Sequence, residues 1–393
     1  MRRARQQSTG GRTMFSALRH RVLAAAGVAV ALALTATACE PGHGGAGGVS
    51  RPPGRTGDSL ADRLSRLGID VDHWRDGGWR DWDRWSGAAE DFVNPVIAGL
   101  WQPDRMRSAD AAGKTVPARD ALAHRQLSDP PPPLAEAVPE RTPYREYAAP
   151  MGKLFFDSPG GSLVCSGTVV RDVYHPGKSN LVWTAGHCVH AGRSGGWYRN
   201  IAFVPAFNDL GRSEAGLADA TEREVAPYGL WWADRAATSE QWIRNGSETG
   251  GAGAAYDYAV LRVRPESGGR SLEETVGTAL PVDFSAPPVS EVGPVSVWGY
   301  PAAPPYDGLT MFRCVDRPRR LSLGPELPTM YRVGCPLTGG ASGGGWFRRV
   351  GDRLELVSNT SIGPVDGAWL AGPRLGGDAK RVYDTMGARY GGR

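Results

Sequence analysis

Gly339-Gly340-Ala341-Ser342-Gly343-Gly344-Gly345-Trp346 sets one serine in a run of glycines. Such a run lets the backbone turn tightly and bring amide N–H groups close to a bound carbonyl, as an oxyanion-stabilising loop must. The stretch is weak evidence alone, because the 393-residue chain has 54 glycines and small-residue turns are common in it. Two other segments give it meaning. Upstream, Leu181-Val182-Trp183-Thr184-Ala185-Gly186-His187-Cys188 is an apolar, strand-like run that ends in small residues and then presents a histidine beside a cysteine. A general base needs that kind of rigid mounting. Between the two, Tyr256-Asp257-Tyr258-Ala259-Val260-Leu261 places a carboxylate at the entry of an apolar run, where burial demands a partner for it. Singly, each residue also fits a plainer reading: His187 a satisfied core histidine, Asp257 a turn or strand-entry cap, Ser342 a turn serine.

Taken together the segments resemble the trypsin-like, or chymotrypsin-clan, serine peptidases. That family carries Thr-Ala-Gly-His-Cys, an Asp before an Ala-Val-Leu-like strand and Gly-x-Ser-Gly-Gly, in the order His, Asp, Ser, and all three occur here in that order. Cys165-Ser166-Gly167-Thr168-Val169-Val170 is similar to the family strand whose cysteine bridges to the one after the histidine. Val297-Trp298-Gly299-Tyr300-Pro301 is similar to a strand of the bacterial glutamyl-endopeptidase branch. The likeness spans about residues 150–390. It implies Ser342 as nucleophile, His187 as the base that takes its proton and later protonates the leaving amine, and Asp257 as the carboxylate that orients the imidazole. It places the oxyanion hole at the amides of Gly340 and Ser342, and implies an all-β fold of two packed antiparallel barrels with a C-terminal helix near residues 379–386. Short β-type runs at 154–156, 163–170, 181–183, 201–204, 259–263, 295–298, 330–333, 346–347 and 354–357, separated by turns, agree with such a fold.

The chain departs from the family pattern in three places. Ala341 stands where the trypsin branch has an acidic residue that pairs with a freed N-terminus, so that activation switch cannot operate here. Pro336, six residues before Ser342, stands where enzymes that cut after lysine or arginine carry an Asp. No histidine follows His190, whereas the glutamyl-specific branch has one shortly after the serine. Substrate preference is thus open, with Ser358 and Thr360 as candidate pocket neighbours. His73, His175 and His190 read as surface or loop residues. His20, His43 and His124 lie in leader or low-complexity sequence, and no histidine spacing suggests a metal site. No cofactor is implied.

Residues 1–38 read as a secretory signal peptide: six arginines precede an uncharged, apolar stretch at 22–38. Ala36-Thr37-Ala38-Cys39 resembles a bacterial lipobox, which would make Cys39 the lipidated first residue of a protein anchored to the outer face of the cell membrane; ordinary cleavage near Ala38 or an uncleaved anchor are the alternatives. Five cysteines leave one unpaired, and Cys39 needs no partner if it carries lipid. The family resemblance pairs Cys165 with Cys188, which leaves Cys314 for Cys335. Each loop of about twenty residues is worth roughly 3 kcal/mol in the chain-entropy model, and disulfides imply an oxidising compartment. Loss of the leader arginines takes the formal charge from +4 to about −2, so nothing points to nucleic acid.

Residues 39–58 read as a flexible tether, rich in Gly and Pro. Residues 59–108 form a Trp-rich segment of helical pattern, with Trp74, Trp79, Trp82 and Trp85 interleaved with Arg and Asp, and 60–67 also helical in pattern. It is too aromatic for a solvated linker and too short for a core of its own, so it is expected to dock on the barrels and modulate access to the cleft; carbohydrate or partner binding is the alternative. Residues 109–150 read as a Pro-rich linker, and 151–393 as the peptidase domain, expected to be monomeric. The functional reading is an exported serine endopeptidase acting on protein or peptide. Its rivals are a surface-anchored binding or scaffold protein on a degenerate protease fold, and an esterase using the same residues.

Overall fold

The computed structural model of this chain describes residues 68, 70–81, 92–249 and 251–391. The leader, Cys39, the tether, the run at 60–67, Trp82 and Trp85 lie outside the described residues. After the Trp-rich segment come β1 (Asp110–Ala111), β2 (Thr115–Val116) and β3 (Val138–Pro139). The first half then supplies β4 (Met151–Ser158), β5 (Gly161–Val170), β6 (Leu181–Thr184), β7 (Arg199–Pro205), β8 (Trp231–Thr238) and β9 (Ala259–Pro265). The second half supplies β10 (Val295–Gly299), β11 (Phe312–Asp316), β12 (Arg319–Leu321), β13 (Met330–Val333), β14 (Gly345–Val350), β15 (Arg353–Asn359), β16 (Gly363–Pro364) and β17 (Leu370–Gly372), followed by the helix Gly377–Tyr390.

The strands β5-β4-β7-β8-β9-β6 pair antiparallel in that order, and β6 returns to β5, which closes a six-stranded barrel. Closure leaves this sheet no exposed edge within the ring. Alternate side chains fill its interior: Leu154 and Phe156, Cys165 and Val169, Ile201 and Phe203, Trp231 and Ala233, Ala259 and Leu261. The opposite faces are buried as well, with Phe155, Val164, Trp183, Val204, Trp232 and Val260 in a second cluster. Strands covered on both sides read as continuous apolar runs, which is why 181–183 and 201–204 show no alternation. The second half folds as a five-stranded sheet, β15-β14-β10-β11-β3, and a three-stranded sheet, β12-β13-β17. These share one core of Val295, Val297, Tyr331, Val333, Trp346 and Val357. The bridge from Cys314 on β11 to Cys335 just beyond β13 joins the two sheets, and Cys165–Cys188 ties β5 to the turn after β6.

The Trp-rich segment belongs to the outer face of the barrel. Among its described residues the helices are short, Val71–Arg75 and Pro103–Arg107, with a 3₁₀ turn at Gly78–Arg80. Trp74, Trp79 and Trp101 are buried beside Phe155, Val204 and Trp232. Two arginines of this segment are part of the packing: Arg80 stacks on Trp79, and Arg105 reaches both Trp79 and Trp101. Arg105 lies 4.2 Å from the Trp101 ring and 5.2 Å from Trp79 and donates to both oxygens of the buried Asp157, at 2.7 and 2.9 Å. Stacking and a desolvated ion pair act here on one guanidinium. Asn94 donates to the carbonyls of Ile201 and Ala233 and accepts from the Ile201 amide.

Residues 109–150, expected to be a linker, are woven into the fold instead. β1 pairs with β5, β2 with β16 and β3 with β11, and Tyr144 is fully buried, its hydroxyl accepting from the Met311 amide at 3.0 Å. The prolines that suggested a linker sit beside the second half, where the neighbouring Asp129 and Ala135 amides donate to Arg320 and Gly334. Proline suits such an edge because it has no N–H to leave unpaired.

Lys153 on β4 is enclosed at the contact between the halves. Its ammonium donates to the Gly308 carbonyl at 2.8 Å and lies 4.8 Å from the Phe207 ring. Burial pulls its pKa down from 10.5 to about 7, with only Asp307 acting the other way. Between those values the unfolded chain holds a proton that the folded protein has released, so stability rises with pH across that window and the full penalty applies below about 7. Relative to wild type, Lys153→Met is therefore expected to be most stable near the acid end, its advantage shrinking as pH rises from 7 towards 10.5. Denaturant titrations at stepped pH check this; a difference that does not vary with pH contradicts it.

Candidate active site

β6 ends at Thr184, and the 3₁₀ turn Gly186–Cys188 then swings His187 out of the barrel wall. Only glycine fits before it: a Cβ on Gly186 would stand 2.9 Å from the Trp242 ring and 2.7 Å from Thr238 Oγ1. Asp257 arrives from the turn Gly251–Tyr256 that leads into β9. Its carboxylate is fully buried. Oδ1 accepts the His187 amide at 2.8 Å, Oδ2 lies 2.6 Å from His187 Nδ1, and Ser361 Oγ donates to Oδ2 at 2.6 Å. Asn359 completes the support, its Nδ2 donating to the Asp257 carbonyl at 2.9 Å while its Oδ1 accepts from Trp183 Nε1. With Nδ1 on the carboxylate, the other ring nitrogen is the one left for chemistry. His187 Nε2 is buried and has no hydrogen-bond partner among the described residues.

Ser342 sits on the turn before β14. The Ser342 carbonyl accepts the Ser166 amide at 2.7 Å, Ser166 Oγ donates to the Gly340 carbonyl at 2.9 Å, and the Tyr300 amide donates to that same Oγ. One serine on β5 thus fixes the glycine turn of the second half to the wall of the first. Gly340 and Gly343 have φ of 93° and 75°, the left-handed region that suits glycine. The Gly340 amide donates at 2.6 Å to the carbonyl of Ala112, and Ser342 Oγ lies 3.4 Å from that same oxygen. Beside the serine is a cleft of ≈ 340 Å³ lined by Leu337, Thr338, Thr360, Ile362 and Leu370 and by Ala111, Gly113, Lys114 and Thr115.

The structure thus joins His187 to Asp257 directly and places Ser342 on the cleft wall, two residues after Gly340. Of the two candidate pocket neighbours, Thr360 lines the cleft; Ser358 does not, being buried with its hydroxyl on the Pro373 carbonyl. His190 is not at the surface either: it is buried, its Nδ1 accepts the Gly192 amide, and burial lowers its pKa to about 4. Cys165, His187 and Cys188 are close enough to suggest a metal group, but the two sulfurs are bonded to each other and so are withheld as ligands.

A family model for the trypsin-like peptidase domain matches residues 165–354. A thermostable serine protease from an extremophilic microorganism is 30% identical, with a TM-score of 0.50, and the match covers 62% of this chain and 99% of that one. The protease Anisep from Arthrobacter nicotinovorans is 29% identical, with a TM-score of 0.51, over 64% of this chain and 100% of that one. A Glu endopeptidase structure also matches, at 16% identity and a TM-score of 0.46, over 65% of this chain and 98% of that one. No curated protein matches the chain. The chain belongs to the trypsin-like serine peptidases. It is a serine-type peptidase.

Within a trypsin-like peptidase the residues that sequence reading passed over are those acting through others. Ser361 and Asn359 each touch Asp257, yet neither stands in a distinctive motif; the only signal was their place some twenty residues after Ser342, at the end of an apolar strand. Ala112 carries no signal at all. The tightest test of the serine turn lies at Gly343, where a Cβ would collide with Thr184 Oγ1 and stand 2.5 Å from the Ser166 carbonyl. Gly343→Ala is expected to destabilise by more than about 3 kcal/mol, through overpacking as well as backbone strain. Gly351→Ala, at φ 59° in open space, should lose only about 1–2 kcal/mol. Equal melting temperatures for the two variants would show that the turn is not packed as described.

Proposed function

We propose that this chain is an exported serine endopeptidase that cleaves peptide bonds through an acyl-enzyme, with Ser342 as nucleophile, His187 as base and Asp257 as the orienting carboxylate. The observation that carries the reading is the buried Asp257 carboxylate: it takes the His187 amide, His187 Nδ1 and the Ser361 hydroxyl together. A buried charge held by a histidine with its second nitrogen unclaimed is the arrangement that raises imidazole basicity when a proton arrives. Ser342 Oγ attacks the substrate carbonyl carbon while its proton passes to His187 Nε2. The amides of Gly340 and Ser342 hold the resulting oxyanion. Collapse breaks the C–N bond, and His187 returns the proton to the leaving amine. Water then repeats the sequence in reverse roles to free the acid and regenerate Ser342.

The second-half wall of the cleft, Leu337, Thr338, Thr360, Ile362 and Leu370, has no charged side chain. That favours substrates with an uncharged side chain beside the cut bond over acidic or basic ones, because an unpaired charge buried there would lack a counterion. Protein or peptide is the substrate class. Export through the leader and a lipid anchor at Cys39 would put the enzyme on the outer face of the cell membrane, where disulfides persist. Among the described residues no helix is long and apolar enough to cross a membrane.

Ser342→Ala should lower turnover on a peptide library by about 10⁴–10⁶ with unchanged melting temperature, His187→Ala should lower it as much while also melting earlier because buried Asp257 loses a donor, and Asp257→Asn should lower it by about 10⁴. Retention of activity within tenfold of wild type in either of the first two would sink the assignment. For export, mass spectrometry of the mature protein should find a diacylglyceryl group on Cys39; Cys39 absent from the mature chain, or disulfide-bonded there, contradicts the anchor.

A further inference from the structure

We propose that residues 110–116 are a built-in inhibitory strap that holds the peptidase latent until they are displaced from the cleft. The inference rests on Ser342 being the nucleophile. The strap enters alongside β5, where Asp110 and Ala111 pair with Leu163 and Val164 and the Ala112 amide donates to the Val164 carbonyl at 3.1 Å. It crosses the serine turn and leaves alongside β16, where Thr115 and Val116 pair with Gly363 and Pro364 and the Gly363 amide donates to the Lys114 carbonyl at 3.1 Å. Both ladders are parallel. Midway, the Ala112 carbonyl oxygen receives the Gly340 N–H, one of the two donors that catalysis needs for the developing oxyanion.

Two observations make this an inhibitor rather than a substrate caught in place. His187 Nε2 has no partner among the described residues while the strap is seated, so the base is not engaged with the hydroxyl. The Ala112 side chain is buried with the first-barrel core, beside Phe92, Leu154 and Cys165, and not in the cleft that would read a substrate. The strap is also built to leave. Its ladders are two residues long at each end, whereas the Trp-rich segment before it and the Tyr144 turn after it are anchored by large buried side chains. The two relatives above are matched over 99% and 100% of their length by under two thirds of this chain, so an added device is available here beyond what they share.

Two altered chains test the strap. Gly113→Val puts a side chain against Gly339, whose Cα lies 3.0 Å from the position of a Cβ at 113, and should lift the strap off the turn. The second keeps every strap residue but carries a recognition sequence for a site-specific protease in the exposed residues 125–127, so that one cut frees the strap's far end. Both should react with a fluorophosphonate at Ser342, and hydrolyse casein, at least tenfold faster than the intact full-length protein. Thermal melting reports whether each is folded; where Gly113→Val is not, the cut chain decides. An intact protein that labels as fast as the cut chain overturns the strap and leaves the peptidase reading standing. Intact mass showing spontaneous cleavage between Ala112 and Gly113 overturns it too, because the strap is then a substrate. Failure of every folded form to label at Ser342 overturns the peptidase mechanism, and the strap with it.

Discussion

The carboxylate of Asp257 is the constraint around which the two halves of this molecule are arranged. Fully removed from water, it would be intolerably costly unless each lone pair met a donor. Two donors come from His187, one backbone and one side chain, and the third is Ser361, which belongs to the second half. The chain can satisfy that acid only by bringing β6, β9 and the end of β15 to one point. Asn359 extends the same logic, since a single amide spans the Asp257 carbonyl and the Trp183 indole. The halves are held together at this carboxylate.

Ser166 plays the corresponding part for the serine turn. Without it the Gly-rich loop would have the conformational freedom that makes glycine expensive to order. With its amide on the Ser342 carbonyl and its hydroxyl shared between Gly340 and Tyr300, the turn is pinned at three points to elements of both halves. Packing then leaves no slack, as the collisions that a Cβ would meet at Gly343 and Gly340 show. Glycine here serves close approach of backbone to backbone as much as positive φ.

The sequence carried the strands whose runs were uninterrupted and apolar, and it carried the three motifs, because those residues must be particular types at particular spacings. It did not carry β8. That strand reads Trp231-Trp232-Ala233-Asp234-Arg235, and the charged pair argues against a buried strand. In the structure Asp234 is satisfied by Arg262 on the neighbouring β9, and the ladder shifts register between Ala233 and Arg235. A bulge paired across strands cannot be seen along one strand. The tryptophans at 74 and 79 were visible as residues in need of cover, but the cover that Arg199 on β7 gives Trp74 was not. The prolines at 130–133 misled most, since composition alone cannot separate a free linker from an edge segment whose backbone is paired elsewhere.

Residues 109–150 acquire their meaning from that same distinction. A chain that merely connected two domains would have no reason to pair with β5, β16 and β11 in turn, three strands distributed over both halves. Each stretch of ladder is only two residues long, and the segment is also held by buried side chains such as Tyr144 and by ion pairs of Asp129 with Arg320 and Glu140 with Arg313. Its middle lies across Ser342, with a backbone carbonyl on the Gly340 amide. With Ala341 where an N-terminal switch would need an acid, the proposed control acts on the cleft itself, through a strap whose own ladders are short while the segments on either side of it are anchored by buried aromatic side chains.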